Sequence, residues 1–156
     1  MSARLLSAPG LFPHTGYAYT AVSAPGSLVF AAGACPIDAD GEVVGGADFA
    51  AQARQMMDNL VTALGAAGAG LTDVLRTTVY VASADRANLV KVWTVVHDEY
   101  FSEHEVPSTL LGVAVLGYSG QLVEIEAIAE LPDSAGLTEP RADQLVTEIP
   151  VGRDAR

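Results

Sequence analysis

The chain has 156 residues, half of them hydrophobic, and carries 19 Asp and Glu against 8 Lys and Arg, for a formal net charge of -11. That length fits one domain with a substantial core, and that charge repels phosphate backbones and anionic membrane surfaces, which argues against nucleic-acid and membrane partners. The single cysteine, Cys35, excludes an internal disulfide and fits a reducing compartment. No stretch approaches the ~20 apolar residues of a membrane span, and the first ten residues hold no apolar run long enough for a signal peptide, so a cytoplasmic protein is expected.

Residues 3 to 6 can form a short first strand, after which Pro9, Gly10, Pro13 and Gly16 interrupt regular structure. Tyr19 to Ser23 reads as a strand, Ala24-Pro25-Gly26-Ser27 as a turn, and Leu28 to Ala32 as the partner strand. The segment Gly33-Ala34-Cys35-Pro36-Ile37-Asp38 then leaves the sheet, because Pro36 cannot donate to a ladder, and Asp40-Gly41 signals a tight turn. Asp48 is placed to cap a long helix in which Phe49, Ala53, Met56, Leu60 and Leu64 recur at helical spacing, ended by Gly65, Gly68 and Gly70. The β-branched run from Arg76 to Val81 reads as a strand. Ser83 or Asp85 can cap a second helix striped by Leu89, Trp93, Val96 and Tyr100, which at that spacing are core residues rather than a stacking platform.

From Pro107 to Leu131 the chain reads as two long strands around a turn marked by Gly117, Ser119 and Gly120. In the first, Leu110, Gly112, Ala114 and Leu116 line one face and Thr109, Leu111, Val113 and Val115 the other; both faces are apolar and need cover. In the second, Val123, Ile125, Ala127 and Ala129 alternate with Leu122, Glu124, Glu126 and Ile128, so two carboxylates sit between large aliphatics. The element order predicts an α+β fold, one sheet with two helices on a single face, the other face meeting another subunit. Residues 1–131 form the expected domain; residues 132–156, with three prolines and little periodicity, read as a flexible tail, with partial order against a neighbouring subunit left open.

Several residue types carry chemistry. Glu124 can serve as a general base if its surroundings suit, or stand as a carboxylate on a partly solvated face; for Glu126 the second reading is preferred. Cys35 can be a nucleophile or redox thiol, or a small buried hydrophobe. His97 and His104 lie seven residues apart across an expected helix end near Phe101 and Ser102, and a zinc site would need a third convergent ligand, so no metal site is expected.

Four motifs in sequence, G-A-C-P-I-D-A-D-G-E-V, A-A-Q-A-R-Q-M-M-D-N-L, G-A-G-L-T-D-V-L-R-T-T-V-Y-V and V-E-I-E-A-I-A, resemble the Rid (YjgF-like) reactive-intermediate deaminases over about residues 16 to 131. The resemblance implies a chorismate-mutase-like subunit, with the sheets of a homotrimer packed as a central barrel. It also implies a small-molecule ligand in each intersubunit cleft and hydrolysis of small imines and enamines without metal or cofactor. Carried over position by position, it implies substrate-binding roles for Tyr19, Gly33, Ser108 and Thr109 and a water-activating role for Glu124; Cys35, two residues beyond Gly33, is added as a further candidate for substrate binding. The family's Pro-x-Arg, whose arginine clamps the substrate carboxylate, meets Thr109 in the ungapped register and Ser108 after a one-residue shift. Neither is an arginine, and with no Arg or Lys between Lys91 and Arg141 no local substitute is expected. The implied activity is therefore imine or enamine hydrolysis with an altered substrate. The alternative is a non-catalytic trimer holding an uncharged metabolite. A ribonuclease is disfavoured by the acidic charge and the absence of a basic patch.

Overall fold

A computed structural model describes residues 4–6, 20–22 and 26–131. The elements in order are β1 (Arg4–Leu6), β2 (Thr20–Val22), β3 (Leu28–Phe30), α1 (Phe49–Ala66), a 3-10 turn (Leu71–Asp73), β4 (Val74–Val81), α2 (Arg86–Thr94) running into a π-helical segment (Val95–Phe101), β5 (Ser108–Gly112) and β6 (Val123–Glu130). Tyr19 and the segment 132–156 lie outside the described residues.

The first helix follows its sequence signals. Asp48 accepts hydrogen bonds from the amides of Ala50 and Ala51, satisfying two of the donors that a helix start leaves open. The helix closes as Ala67 and Ala69 donate back to the Leu64 carbonyl and Gly68 turns to φ +84°. Its inner face buries Gln52, Ala53, Met56, Met57, Leu60 and Leu64.

Asp85 caps α2 through the Ala87 amide, while Ser83 accepts from Asp85 N–H and from Asn88. The expected stripe along α2 is displaced. Val92, Val95, Val96 and Phe101 are buried, whereas Trp93 and Tyr100 are half-buried. From Val95 the wider turn of the π segment shifts the side-chain register, and the segment ends where Ser102, at φ 47°, donates to the His97 carbonyl.

A four-stranded mixed sheet has the order β3-β6-β4-β5, with β4 and β5 parallel and β6 antiparallel to both its neighbours. This corrects two expected pairings. β2 pairs with β1 rather than with β3, which pairs instead with β6. β5 and β6 do not pair with each other, because β4 lies between them. The helix that links β4 to β5 returns the chain to the same end of the sheet, which makes those two strands parallel. β5 also ends at Gly112 rather than continuing to Leu116. A side chain at Gly112 would lie 2.6 Å from the Ser83 carbonyl, so glycine permits this close crossing.

Alternation sorts the two faces. Val74, Thr77, Val79 and Val81 of β4 and Val123, Ile125, Ala127 and Ala129 of β6 join the helices in one core. The other face presents Leu28, Phe30, Arg76, Thr78, Tyr80, Thr109, Leu111, Glu124, Glu126 and Ile128 by the same alternation. Phe30 is 71% exposed there, and Leu28 and Leu111 also stand out as exposed large apolar side chains.

Candidate functional site

Beyond Phe30 the chain stays beside β6 without forming a regular strand. Ala31 donates to Ala127, and Ala34 exchanges both backbone hydrogen bonds with Ile125. That pairing sets Gly33 over Glu124. A side chain at Gly33 would lie 1.9 Å from Glu124 Oε1 and 2.7 Å from its carboxyl carbon. Gly33 has no left-handed backbone angle, so space for the carboxylate, not backbone freedom, is what glycine provides.

The next turn is anchored from α1. The Asn59 side-chain amide donates to the carbonyls of Cys35 and Ile37, both at 2.8 Å. The Cys35 thiol then lies 3.6 Å from Glu124 Oε2 and 3.7 Å from the Gly33 carbonyl. Burial, followed by the charge and hydrogen bonding of Glu124, pushes this thiol from its ordinary 9.0 up to about 11, with Gln121 acting in the opposite sense. Cys35 is therefore a protonated donor at neutral pH, not a thiolate nucleophile.

The Gly-rich stretch before β6 is held in the same way. Gln52, wholly buried on α1, donates to the carbonyls of Gly46 at 2.6 Å and Gly120 at 2.9 Å and accepts from Leu122 N–H at 2.8 Å. This fixes Gln121, whose amide nitrogen reaches Glu124 Oε2 at 2.9 Å and the Val123 carbonyl at 3.0 Å. Gln52 and Gln121 both escaped the sequence reading. Each is a polar residue at a buried position, and the only trace in the sequence is a glutamine where an apolar face would continue.

Gly33, Cys35 and Glu124 thus come together in one protomer, Glu124 half-buried and Glu126 exposed. Glu126 accepts from the Tyr80 hydroxyl at 2.9 Å. The two candidates on β5 separate. Ser108 points to the helix side, its hydroxyl 2.6 Å from that of Thr77 and donating to the Val106 carbonyl at 3.1 Å. Thr109 faces the open side, level with Thr78 and, beyond it, Glu126. There Thr109, Arg76, Thr78, Tyr80 and Glu126 line a hollow of about 520 Å³. No Arg or Lys stands near Thr109 in sequence, but Arg76 brings a cation into this hollow. It lies on the neighbouring strand β4 rather than nearby in sequence, which a search along the chain could not find. Glu126 lines the same hollow with the opposite charge.

Elsewhere, His97 Nδ1 meets Asp98 at 2.6 Å and His104 Nε2 meets the Val74 carbonyl at 2.8 Å. Among the described residues no three His, Cys, Asp or Glu side chains converge as metal ligands, and no helix is long and apolar enough to cross a membrane.

The sequence profile of the family described as Endoribonuclease L-PSP matches residues 11–131. A RutC family protein of Pyrococcus horikoshii is 38% identical over 113 residues, 71% of this chain and 85% of that protein. The 2-iminobutanoate/2-iminopropanoate deaminase of Escherichia coli is 34% identical over 108 residues, 67% of this chain and 80% of the enzyme. A crystal structure of a conserved Rid family protein from Yersinia pestis superposes with a TM-score of 0.78 at 32% identity, covering 84% of this chain and all of that one. Profile, relatives and fold agree, and the chain belongs to the Rid (YjgF-like) family, the family also described as Endoribonuclease L-PSP.

Proposed function

We propose that this chain is a metal-free hydrolase of small imines and enamines, working as a homotrimer with its ligand in the cleft between subunits. The observation that carries the reading is the Glu124 carboxylate, held on a half-buried strand face against Gly33 with one oxygen tied and the other without a hydrogen bond from the described residues. The similarity to a 2-iminobutanoate/2-iminopropanoate deaminase gives the reaction class. Assembly is supported by Leu28, Phe30 and Leu111, large apolar side chains that stand exposed on this sheet face among the described residues. A stable, well-folded monomer in light scattering at micromolar concentration would overturn the trimer.

The chemistry needs only one carboxylate. Water held by Glu124 gives a proton to it as the water oxygen bonds to the imine carbon; the C=N electron pair moves to nitrogen, which takes that proton from Glu124. In the resulting carbinolamine, Glu124 takes the hydroxyl proton and passes it to nitrogen. The C–N bond then breaks, ammonia leaves and the carbonyl forms. An enamine enters by tautomerising: its carbon takes a proton from water to give the iminium ion, and the nitrogen returns a proton to water to give the imine. Glu124 is ionised again at the end of each cycle, as general acid–base catalysis requires.

The substrate differs from that of a typical family member. A guanidinium binds a carboxylate through two parallel hydrogen bonds, whereas Thr109 offers one neutral donor. A hydrogen bond to a charged group contributes about 1.5–3 kcal/mol, and an unpaired buried carboxylate costs several more. On this face the two carboxylates of Glu124 and Glu126 outnumber the cation of Arg76, so a neutral or cationic imine fits better than an anionic one. The chain's acidic charge argues against ribonuclease activity. The absence of an arginine at Ser108 and Thr109 favours a second reading, a trimer that binds an uncharged metabolite without turning it over.

Glu124→Gln separates the two. Imines generated in situ by an amine oxidase (neutral) and by an amino-acid oxidase (anionic) are the probes, and loss of the imine is followed. The hydrolase reading expects acceleration of the neutral class and its collapse in Glu124→Gln. No acceleration of either class by the wild-type protein, with ligand binding intact, gives the second reading.

A further inference from the structure

Glu124 is held asymmetrically. Both side-chain contacts made to it fall on Oε2: the Gln121 amide at 2.9 Å and the Cys35 thiol at 3.6 Å. Oε1 lies over Gly33 and receives no hydrogen bond from the described residues. A carboxylate on a freely turning terminal torsion would present either oxygen, because that torsion is broad and two-fold. Here it is fixed.

We propose that Gln121 is a positioning residue of this site: it holds Oε2 of Glu124 and leaves Oε1 as the oxygen that takes the proton of the attacking water. The inference rests on the reading of Glu124 as the base. Gln121 itself touches no substrate, being only 4% exposed.

The orientation of the Gln121 amide follows from its neighbours. Its oxygen accepts from the Tyr118 N–H at 3.0 Å, and its nitrogen donates to the Val123 carbonyl at 3.0 Å. Turning the amide over would set oxygen against a carbonyl and NH2 against an N–H, so one arrangement alone satisfies both. The second N–H then has a single direction, toward Oε2. The backbone on either side is fixed in turn, since Gln52 holds Gly120 and Leu122. A chain of partly buried hydrogen bonds therefore runs from α1 through the glutamine to one oxygen of the base. Gly33 completes the arrangement by leaving room for the other oxygen and for what approaches it.

The test uses the full-length protein and the neutral imine probe. Gln121→Met keeps the length of the side chain and removes its donors, and it is expected to lower kcat by about 10- to 100-fold with KM within about threefold of wild type. Gln121→Glu keeps an acceptor for Tyr118 but puts a second carboxylate against Oε2, and it is expected to lower kcat further. A residue needed only for folding would instead order the variants by their melting temperatures and leave kcat per folded molecule unchanged. A wild-type kcat in Gln121→Met, with Glu124→Gln inactive, overturns the inference and leaves the hydrolase reading standing. Activity surviving in Glu124→Gln overturns instead the reading of Glu124 as the base, on which this inference rests, and a wild-type protein without activity overturns the hydrolase reading. Should both glutamine variants fail to fold, a crystal structure of the wild-type protein decides. The ordered water at the carboxylate is expected on Oε1, and a water on Oε2, or an amide turned away from it, refutes the assignment.

Discussion

Gly33→Ala places one methyl group where the candidate base now sits. The new carbon would lie 1.9 Å from Glu124 Oε1, 2.7 Å from Cδ and 3.1 Å from Cγ. The glycine backbone is not in the left-handed region, so alanine adds no backbone strain, and the conflicting atoms are the far end of a flexible side chain. The carboxylate should move and the fold should stay. Moving it breaks the Gln121 contact, a hydrogen bond to a charged group that contributes about 1.5–3 kcal/mol. Because Glu124 is half-buried, water replaces part of that loss, and a net cost to folding of about 1–2 kcal/mol is expected. The effect on the chemistry is larger, since misplacing a reacting group by about 1 Å costs about 100-fold in rate. The paired assays are urea unfolding and hydrolysis of the neutral imine. The ultraviolet absorbance of the Cys35 thiolate adds a third readout: with Glu124 displaced, the thiol should titrate below its wild-type value of about 11. A variant with kcat within about threefold of wild type and an unchanged thiol titration would show that Glu124 does not depend on Gly33 for its place.

Three further outcomes are expected. Gln52→Leu leaves the Leu122 N–H and the Gly46 and Gly120 carbonyls without their partner, at about 1–3 kcal/mol for each group that stays buried; a loss in urea unfolding below about 1 kcal/mol would mean that water replaces the glutamine. Since the Cys35 thiol titrates higher in the folded chain than in the unfolded one, its contribution to stability is complete below pH 9.0 and is lost as pH rises through about 11; Cys35→Ala should remove that part of the alkaline destabilisation, as read by unfolding midpoints across this range. Thr109→Arg should raise hydrolysis of the anionic imine by about tenfold or more, while Arg76→Met should change it by less than about threefold; a large loss in Arg76→Met would transfer the carboxylate clamp from β5 to β4.

What the sequence disclosed follows from which interactions are local. α1 was legible because its cap, its apolar spacing and its closing glycines all act within one or two turns. The strand face bearing Glu124 was legible because alternation along β6 needs no knowledge of its neighbours. The partners of β3, β5 and β6 were not legible, because pairing is decided between distant segments and adjacency in sequence misleads once a crossover helix intervenes. The contact of Cys35 with Glu124, 89 residues away, was not legible, because no pattern in the chain relates two segments so far apart. Gln52 and Gln121 were hidden for a different reason. A buried glutamine is stable only where backbone donors and acceptors converge on it, and those groups leave no mark on the residue types around them.

The position of β6 in the sheet bears on how the molecule is made. β6 is the last described strand in chain order, yet it lies inside the sheet, between β3 and β4. As the chain leaves the ribosome, β4, α2 and β5 can associate early, but β3 stays apart until the final strand slots between it and β4. Closure is thus a late, long-range step, which slows folding relative to a sheet zipped from neighbours. Until it happens, two strand edges stand open, and an interrupted chain is prone to aggregate and to be cleared. The strand that seals the sheet is also the one that brings Glu124, so the carboxylate is installed only in a subunit whose sheet is already complete.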